Sequence, residues 1–334
     1  MRRIDAQGNP LAPKPRRRVR PVSPLPMRDG VSASWVAVPP GAWPTVLDFF
    51  AERFALVARD EWHSRMAAGE VVDDAGRPVD ADAPCRPHLR LWYWRTLARE
   101  SPIPFQEQVL YRDDRILVAD KPHFLPVVPT GRYLQESLLV RLKRRLGIES
   151  LSPLHRIDRG TAGLVLFSLD AAAREPYQAL FRDRSVHKEY EAIVHWQPGL
   201  SIPPVHRSLL CDDASFLRTQ EVPGTPNSET RIELLHAAGE RAHLRLLPIS
   251  GRKHQLRVHC AALGMPIVND DYYPVLHPEG PDDFDRPLQL LARSLSFRDP
   301  LDGRELRFES RLRLALATPD EGADAAGPSP LGSR

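Results

Sequence analysis

The sequence predicts a mixed α and β protein of two domains with a loose tail at each end, and three observations lead there. The chain has 334 residues, above the ~250–300 at which one hydrophobic core tends to split. Hydrophobic residues at 42% and charged residues at 27% are globular proportions and argue against a wholly disordered or fibrous chain. From about Phe105 onward, short apolar runs of strand length alternate with apolar residues spaced three and four apart, the pattern of strands and amphipathic helices within one domain.

Proline marks the tails. The chain carries 34 prolines, and proline lacks the backbone donor that helices and sheets need. Residues 1–38 mix Lys14, Arg16, Arg17, Arg18 and Arg20 with prolines and read as a basic disordered tail, either a solvated extension or a phosphate-binding arm. Residues 318–334, rich in Ala, Gly, Pro, Ser and Asp, read as a second disordered tail. The net charge of +3 comes from 46 basic and 43 acidic side chains, so an anionic partner must be met by a local patch. Cys85, Cys211 and Cys260 are far apart and lack C-x-x-C spacing, which fits free thiols in a reducing compartment. The N-terminal region holds no apolar stretch of signal or membrane-span length; a cytoplasmic monomer without membrane contact is expected.

Residues 44–100 read as a compact module. Thr45 is placed to cap a helix carrying Val46, Phe49, Phe50 and Phe54, a second amphipathic stretch covers Asp60 to Ala68, and Leu89 to Trp94 reads as a strand after the Asp74–Arg77 turn. Ser101–Pro104 is the expected linker. Residues 105–317 form the larger domain. In it Ile116–Ala119, Gly163–Phe167 and Lys188–Trp196 read as strands, Gln135–Leu146 as a helix stopped by Gly147, and Asp170 as the cap of a helix reaching Arg182 that Pro176 would kink or restart. Arg231–Leu235 and Ala242–Leu247 pair as a hairpin. Arg252–Leu263 reads as a helix with Arg252, Leu256, Cys260 and Leu263 on one face and Arg257 at its edge.

The most informative segment is Leu154-His155-Arg156-Ile157-Asp158-Arg159-Gly160-Thr161-Ala162-Gly163-Leu164-Val165-Leu166-Phe167, a charged loop running into a buried strand. Loops fixed to strand ends concentrate function. Cations on both sides would keep Asp158 ionised as a nucleophile or general base; an Asp–Arg network that only ties down a loop has the same composition.

This segment resembles the H-R-L-D-x-x-T-S-G-L-L-L-F signature of the RluA-type pseudouridine synthases, which isomerise uridine within RNA. Three further segments agree in order. Asp113 to Pro122 resembles the family's strand ending in N-K-P, His187 to Val194 its K-x-Y strand, and Ser250 to His259 its T-G-R-x-H-Q-I-R-V-H helix, followed by Gly264-Met265-Pro266-Ile267-Val268 and Asp270. The resemblance covers about Val109 to Phe308.

It implies an α+β fold with a mixed, largely antiparallel sheet flanked by helices, and an enzyme that needs no cofactor and no metal. Asp158 is implied as the catalytic aspartate, Tyr190 as the active-site tyrosine and Arg257 as the arginine paired with the aspartate. Arg156 is implied to fill the space left by a flipped nucleotide, His155, Arg252 and His254 to shape the substrate site, and Leu290 to pack under the uracil. The H-x-x-x-x-H run from His254 to His259 is not a metal-ligand spacing. The partner implied is RNA, ribosomal or transfer. A catalytically silent RNA-binding protein and, more distantly, a hydrolase using Asp158 with a histidine are the competing readings. Gly160, Ala162, Asn269 and Leu291 depart from the family's usual acidic residue, serine, glycine and histidine. The module at 44–100 is similar to the small RNA-binding domain named for ribosomal protein S-four, and its scattered arginines fit RNA binding and a structural role equally. Arg141, Lys143, Arg144 and Arg145 form a basic patch that is either an RNA contact or a solvated helix face.

Overall fold

The computed structural model describes residues 22–317 apart from residues 98, 214–216 and 279. The chain divides into two compact units between Thr96 and Leu97. The first contains β1 (Ser34–Ala37), α1 (Val46–Arg53), α2 (Arg59–Ala67), β2 (Val71–Val72) and β3 (Arg90–Tyr93). Thr45 closes a capping box on α1: its hydroxyl accepts from the Asp48 amide at 3.1 Å, and the Asp48 carboxylate accepts from the Thr45 amide at 3.0 Å. The helices bury Phe50 against Trp62 and Tyr93, with ring centroids 4.7 and 5.6 Å apart.

The tail expected through residue 38 ends earlier. β1 pairs antiparallel with β3, setting Trp35 opposite Trp92, and the Arg28 guanidinium lies 3.3 Å from the Trp94 ring centroid. Residues 27–38 contain no proline and end in the apolar run Trp35-Val36-Ala37-Val38, so they can join a sheet. Residues 1–21 and 318–334, where the remaining tail expectations fall, lie outside the described residues.

The larger unit follows with β4 (Gln108–Arg112), β5 (Ile116–Lys121), α3 (Leu138–Leu146), β6 (Ser152–Pro153), β7 (Ala162–Ser168), α4 (Arg174–Arg182), β8 (His187–His195) and β9 (Val205–Asp212). It continues with β10 (Thr219–Val222), β11 (Ser228–Ala238), β12 (Arg241–Pro248), α5 (Gln255–Ala262), β13 (Leu290–Arg298) and β14 (Glu305–Glu309). The strands form one sheet in the order β10-β9-β11-β12-β8-β13-β7-β5-β4, with β14 on β13 and β6 on β7. Every ladder is antiparallel except β13 with β7, which is the mixed, largely antiparallel α+β sheet the sequence implied. β5 and β7 are buried on both faces and therefore read as continuous apolar runs. Leu117, Ala119, Val165 and Phe167 face Leu138 and Leu142 of α3, while Ile116, Val118, Leu164 and Leu166 share a second cluster with Tyr177 of α4.

Several boundaries move for identifiable reasons. The Glu100 carboxylate accepts the backbone amides of Leu134, Gln135 and Glu136 at 2.6–2.9 Å, and α3 starts only after them. The expected linker Ser101–Pro104 belongs to the larger unit, since Ile103 is buried in its core and its amide donates to Glu136. Asp170 does not cap α4; it accepts from the Ala172 amide in a local turn, and Pro176 falls in the helix's first turn, where its missing N–H is not needed. Arg252 lies outside α5, because His254 takes a left-handed conformation with φ 53°. Two of the four cations of the basic patch on α3 are paired with carboxylates: Arg141 with Glu136 and Glu107, and Arg145 with Glu107.

β13 enters beside β7 at very short range. Gly163 opposes Ala292 with φ +108°, and a Cβ there would lie 2.3 Å from the Ala292 carbonyl oxygen. Gly163→Ala should therefore destabilise the larger unit by roughly 3 kcal/mol, read as a lowered urea midpoint by circular dichroism. A parental midpoint would contradict so close a junction.

Candidate active site

The charged loop sits where β7 begins, and β13 places it one strand away from β8. Lys121, at the end of β5, holds the loop from below: its buried ammonium donates to the carbonyls of Pro122, Leu125 and Arg159 at 2.9, 2.7 and 3.1 Å. Burial pushes that ammonium's pKa down while Asp158 pulls it up. His123 Nδ1 donates to the Gly160 carbonyl at 2.7 Å. Arg159 reaches sideways to Asp282 at 2.8 Å, and Arg132 and Tyr133 bind the same carboxylate. The two residues that follow Asp158, Arg159 and Gly160, are thus fixed by groups distant in sequence.

Asp158 points into a cavity it shares with Tyr190, Leu290, Arg252, His254 and Arg257. Arg257 Nη1 donates to Asp158 Oδ2 at 3.3 Å. The rest of the guanidinium grips a different carboxylate, with Nε and Nη2 on the two oxygens of Asp270 at 2.8 and 2.6 Å. Asp270 also accepts the amides of Tyr272 and Tyr273 at 2.9 and 3.2 Å, and both tyrosine rings flank the guanidinium, 4.8 and 5.4 Å from its centre. Burial works against the Arg257 charge, yet Asp270 first and Asp158 next hold its pKa above the ordinary value. The two carboxylates differ in access: the Asp270 side chain is 0% exposed and that of Asp158 29%.

His254 directs Nδ1 to the Tyr273 hydroxyl at 3.0 Å and leaves Nε2 3.9 Å from Asp158 Oδ2. Tyr190 stands on β8 opposite Leu246 and Ala292; burial, then the Asp158 charge, pushes its phenol pKa up and keeps the hydroxyl protonated. Leu290 is buried beside it. The cavity opens into a wider cleft lined by Arg156, Arg184, Lys188, Arg252 and Lys253. Among these, the Lys188 ammonium donates to the Ser250 carbonyl at 3.1 Å and is lowered to about 8 by burial and the nearby Arg184.

The structure therefore gathers Asp158, Tyr190, Arg257, His254 and Leu290, and puts the side chains of Arg156 and Arg252 on the cleft wall. His155 lines the wider cleft as well; its Nε2 accepts from the Leu166 amide at 3.0 Å and its ring stacks on Phe181 at 4.6 Å, so it braces the start of the loop. Asp270, Lys121, His123 and Tyr273 were not assigned roles from sequence. Lys121 had a signal in the strand ending Lys121-Pro122; the others act through contacts that only the fold creates.

The departures from the family pattern fit their surroundings. Any Cβ at Gly160 would meet Leu288 at 3.2 Å. Asn269 has φ 62°, a conformation asparagine tolerates where glycine is usual. Ala162 and Leu291 are direct partners across the β7–β13 ladder and are both buried in one apolar cluster.

Residues 115–262 match a family model described as RNA pseudouridylate synthase. The chain is 30% identical over 237 residues to an uncharacterized RNA pseudouridine synthase of Synechocystis, covering 68% of this chain and 79% of that protein. It is 33% identical over 215 residues to the dual-specificity RNA pseudouridine synthase RluA of Haemophilus ducreyi, covering 62% of this chain and 93% of that one. Among solved structures, human RNA pseudouridylate synthase domain containing 4 aligns with a TM-score of 0.49 and 27% identity over 61% of this chain and 88% of that chain. The sequence matches define the class of protein as a pseudouridine synthase, an isomerase acting on RNA. Within that class, the chain belongs to the RluA-type family.

Removing Arg257 leaves Asp270 buried without its cation. Arg257→Met should cost about 3–5 kcal/mol of stability, and the double variant Arg257→Met/Asp270→Asn should recover a substantial part of it in denaturant titrations. A double variant no more stable than the single one would mean that Asp270 is not the chief partner.

His123 and His155 are depressed to about 4 and about 3, chiefly by burial. Their unfolded value is near 6.5, so the unfolded chain takes up protons first. The stability they confer is present above about pH 6.5 and is lost as pH falls toward 4, with a slope of up to about 1.4 kcal/mol per pH unit for each group. His155→Gln, which keeps an acceptor for the Leu166 amide, should flatten the difference between stabilities at pH 7 and pH 5. An unchanged difference would refute the neutral buried imidazole.

Proposed function

We propose that this enzyme isomerises specific uridines in structured ribosomal or transfer RNA, with Asp158 as its essential carboxylate. The observation that carries the reading is the unequal sharing of one guanidinium. Asp270 takes the bidentate face of Arg257 and is sealed, whereas Asp158 takes one N–H and stays open to the cleft. Asp158 is thereby oriented, with lone pairs free for substrate.

In the isomerisation the bond between ribose C1′ and N1 of uracil breaks, the base turns, and C1′ bonds to C5. The proton on C5 is lost and N1 gains one, so there is no net redox change. The Asp158 carboxylate serves each available route: attack on the ribose, attack on the base, or removal of a ribose proton. Tyr190 and Leu290 form the surface on which the detached base turns. A protonated phenol is a poor base by itself, so Tyr190 acts through its ring and takes the C5 proton only as it gives its own to an acceptor, for which the Asp158 carboxylate on the same cavity is available.

A stacked uridine cannot reach Asp158, and the nucleotide must leave its stack. Arg156, exposed on the loop two residues before Asp158, is the side chain placed to occupy the gap, while Arg252 and His254 border the flipped nucleotide. Arg184, Lys188 and Lys253 supply positive charge along the same cleft for the phosphates on either side. The helix–helix–turn–strand order of the first unit supports reading it as an accessory domain similar to the S-four type. No described helix is long and apolar enough to cross a membrane. A cytoplasmic monomer working without cofactor completes the proposal.

The test is release of tritium from RNA carrying uridine labelled at C5, after the modified position has been mapped in cells with and without the gene. Asp158→Asn should retain its circular dichroism spectrum and lose at least about a thousandfold in single-turnover rate. Tyr190→Phe should bind RNA as the parent does and release tritium more slowly. Parental turnover by Asp158→Asn would overturn the assignment.

A further inference from the structure

At the β10–β9 end of the sheet, three side chains that the isomerisation does not use converge from different elements. His206 on β9 places Nε2 2.8 Å from Glu221 Oε1 on β10, and His259 on α5 places its own Nε2 3.9 Å from the same oxygen. Ligand atoms of all three lie within 4.8 Å of one another, the one such group of three His, Cys, Asp or Glu among the described residues. A hydrogen-bonded pair needs only one imidazole on that carboxylate oxygen. Here two aim at it, with ring centroids 4.7 Å apart and planes at 79°.

The outer contacts of His259 suit a ligand. Its Nδ1 meets the Thr230 hydroxyl at 3.0 Å, and a hydroxyl can donate or accept. When Nε2 turns to a cation, the ring proton moves to Nδ1 and Thr230 accepts it, the arrangement that orients metal-bound histidines. Ser208 and Ser228, 3.1 and 3.0 Å from Nε2, retain each other and the Ser208 carbonyl as partners. Two imidazoles and one carboxylate make a zinc donor set, poorly suited to the oxygen-seeking calcium and magnesium. Zinc bonds such ligands at about 2.0–2.2 Å, so its tetrahedral donors lie roughly 3.3–3.6 Å apart, a spacing that the present separations of 2.8 and 3.9 Å reach after small side-chain shifts. His206 and Glu221 are 18% and 25% exposed, leaving a path for the ion and for a water as fourth ligand.

We propose that His206, Glu221 and His259, completed by a water, form a zinc site that pins the β10–β9 end of the sheet to α5. The ion plays no part in the isomerisation. It would stiffen the helix that carries Arg257 two residues before His259. The argument from chain spacing against a metal at His254 and His259 does not touch a site whose ligands come from three separate elements.

The experiment uses the untagged full-length chain, stripped with a chelator and dialysed, then titrated with zinc chloride alone. One ion per chain by calorimetry, a rise in the thermal midpoint with zinc but none with magnesium, and a visible ligand-field band with cobalt(II) are expected. H206A and E221Q should each weaken zinc binding more than about a hundredfold, and E221Q keeps the carboxylate's shape should H206A fold poorly. Absence of stoichiometric zinc binding by the parent, or equal binding by the parent and E221Q, would overturn the site.

Discussion

Arg257 between two carboxylates is the interaction on which the site depends. A guanidinium this deeply buried is tolerable only when paired, and a bidentate carboxylate is its best partner. Asp270 supplies that partner from the segment after α5, and it is itself fixed by two tyrosine amides. Because Asp270 meets the demand for neutralisation, Asp158 is not drawn into a closed pair. It keeps a single contact from Arg257, enough to set its direction, and remains open to solvent on the other side. One cation thus makes one carboxylate structural and leaves the other available for chemistry.

The sheet determines which loops can meet this cation. β13 lies between β8 and β7 and runs parallel to β7, so the loop entering β7 and the face of β8 that carries Tyr190 open on the same side. Gly163 permits the close approach, and the Ala162–Leu291 contact closes the junction with apolar atoms that need no hydrogen-bond partner. Gly160 and Leu288 show the same local agreement, a missing side chain facing a filled space.

Much of this was legible in the sequence where the signal was local. Thr45 with Asp48, the apolar runs of β5 and β7, the hairpin of β11 and β12, and the motif residues Asp158, Tyr190 and Arg257 are each specified by neighbours in the chain. What escaped depends on distant partners. β10 is only four residues long and is defined by pairing with β9, which is itself placed by β11. β1 lay next to a proline-rich stretch whose composition hid four residues that pair with β3. Asp270 and Asp282 look like ordinary loop acids until the fold brings Arg257 and Arg159 to them. The helix expected to begin at Arg252 begins three residues later, because the backbone turn at His254 directs that ring toward Asp158, and no propensity encodes such a turn.

Charge shows most clearly why placement outweighs composition. The run Arg141, Lys143, Arg144 and Arg145 is the densest basic cluster in the larger unit's sequence, yet Arg141 and Arg145 face Glu107 and Arg141 also holds Glu136. Paired in this way, the two arginines have little net field to offer a phosphate. The cations around the cleft are scattered through the chain at Arg156, Arg184, Lys188, Arg252 and Lys253, and they collect only because β8, the loop before β7 and the segment before α5 meet at one end of the sheet. With Asp270 already neutralising the Arg257 charge, these residues give the cleft its positive surplus. Positive charge thus collects at the mouth of the cavity, while the deeper site holds one open carboxylate, a neutral tyrosine and the apolar Leu290.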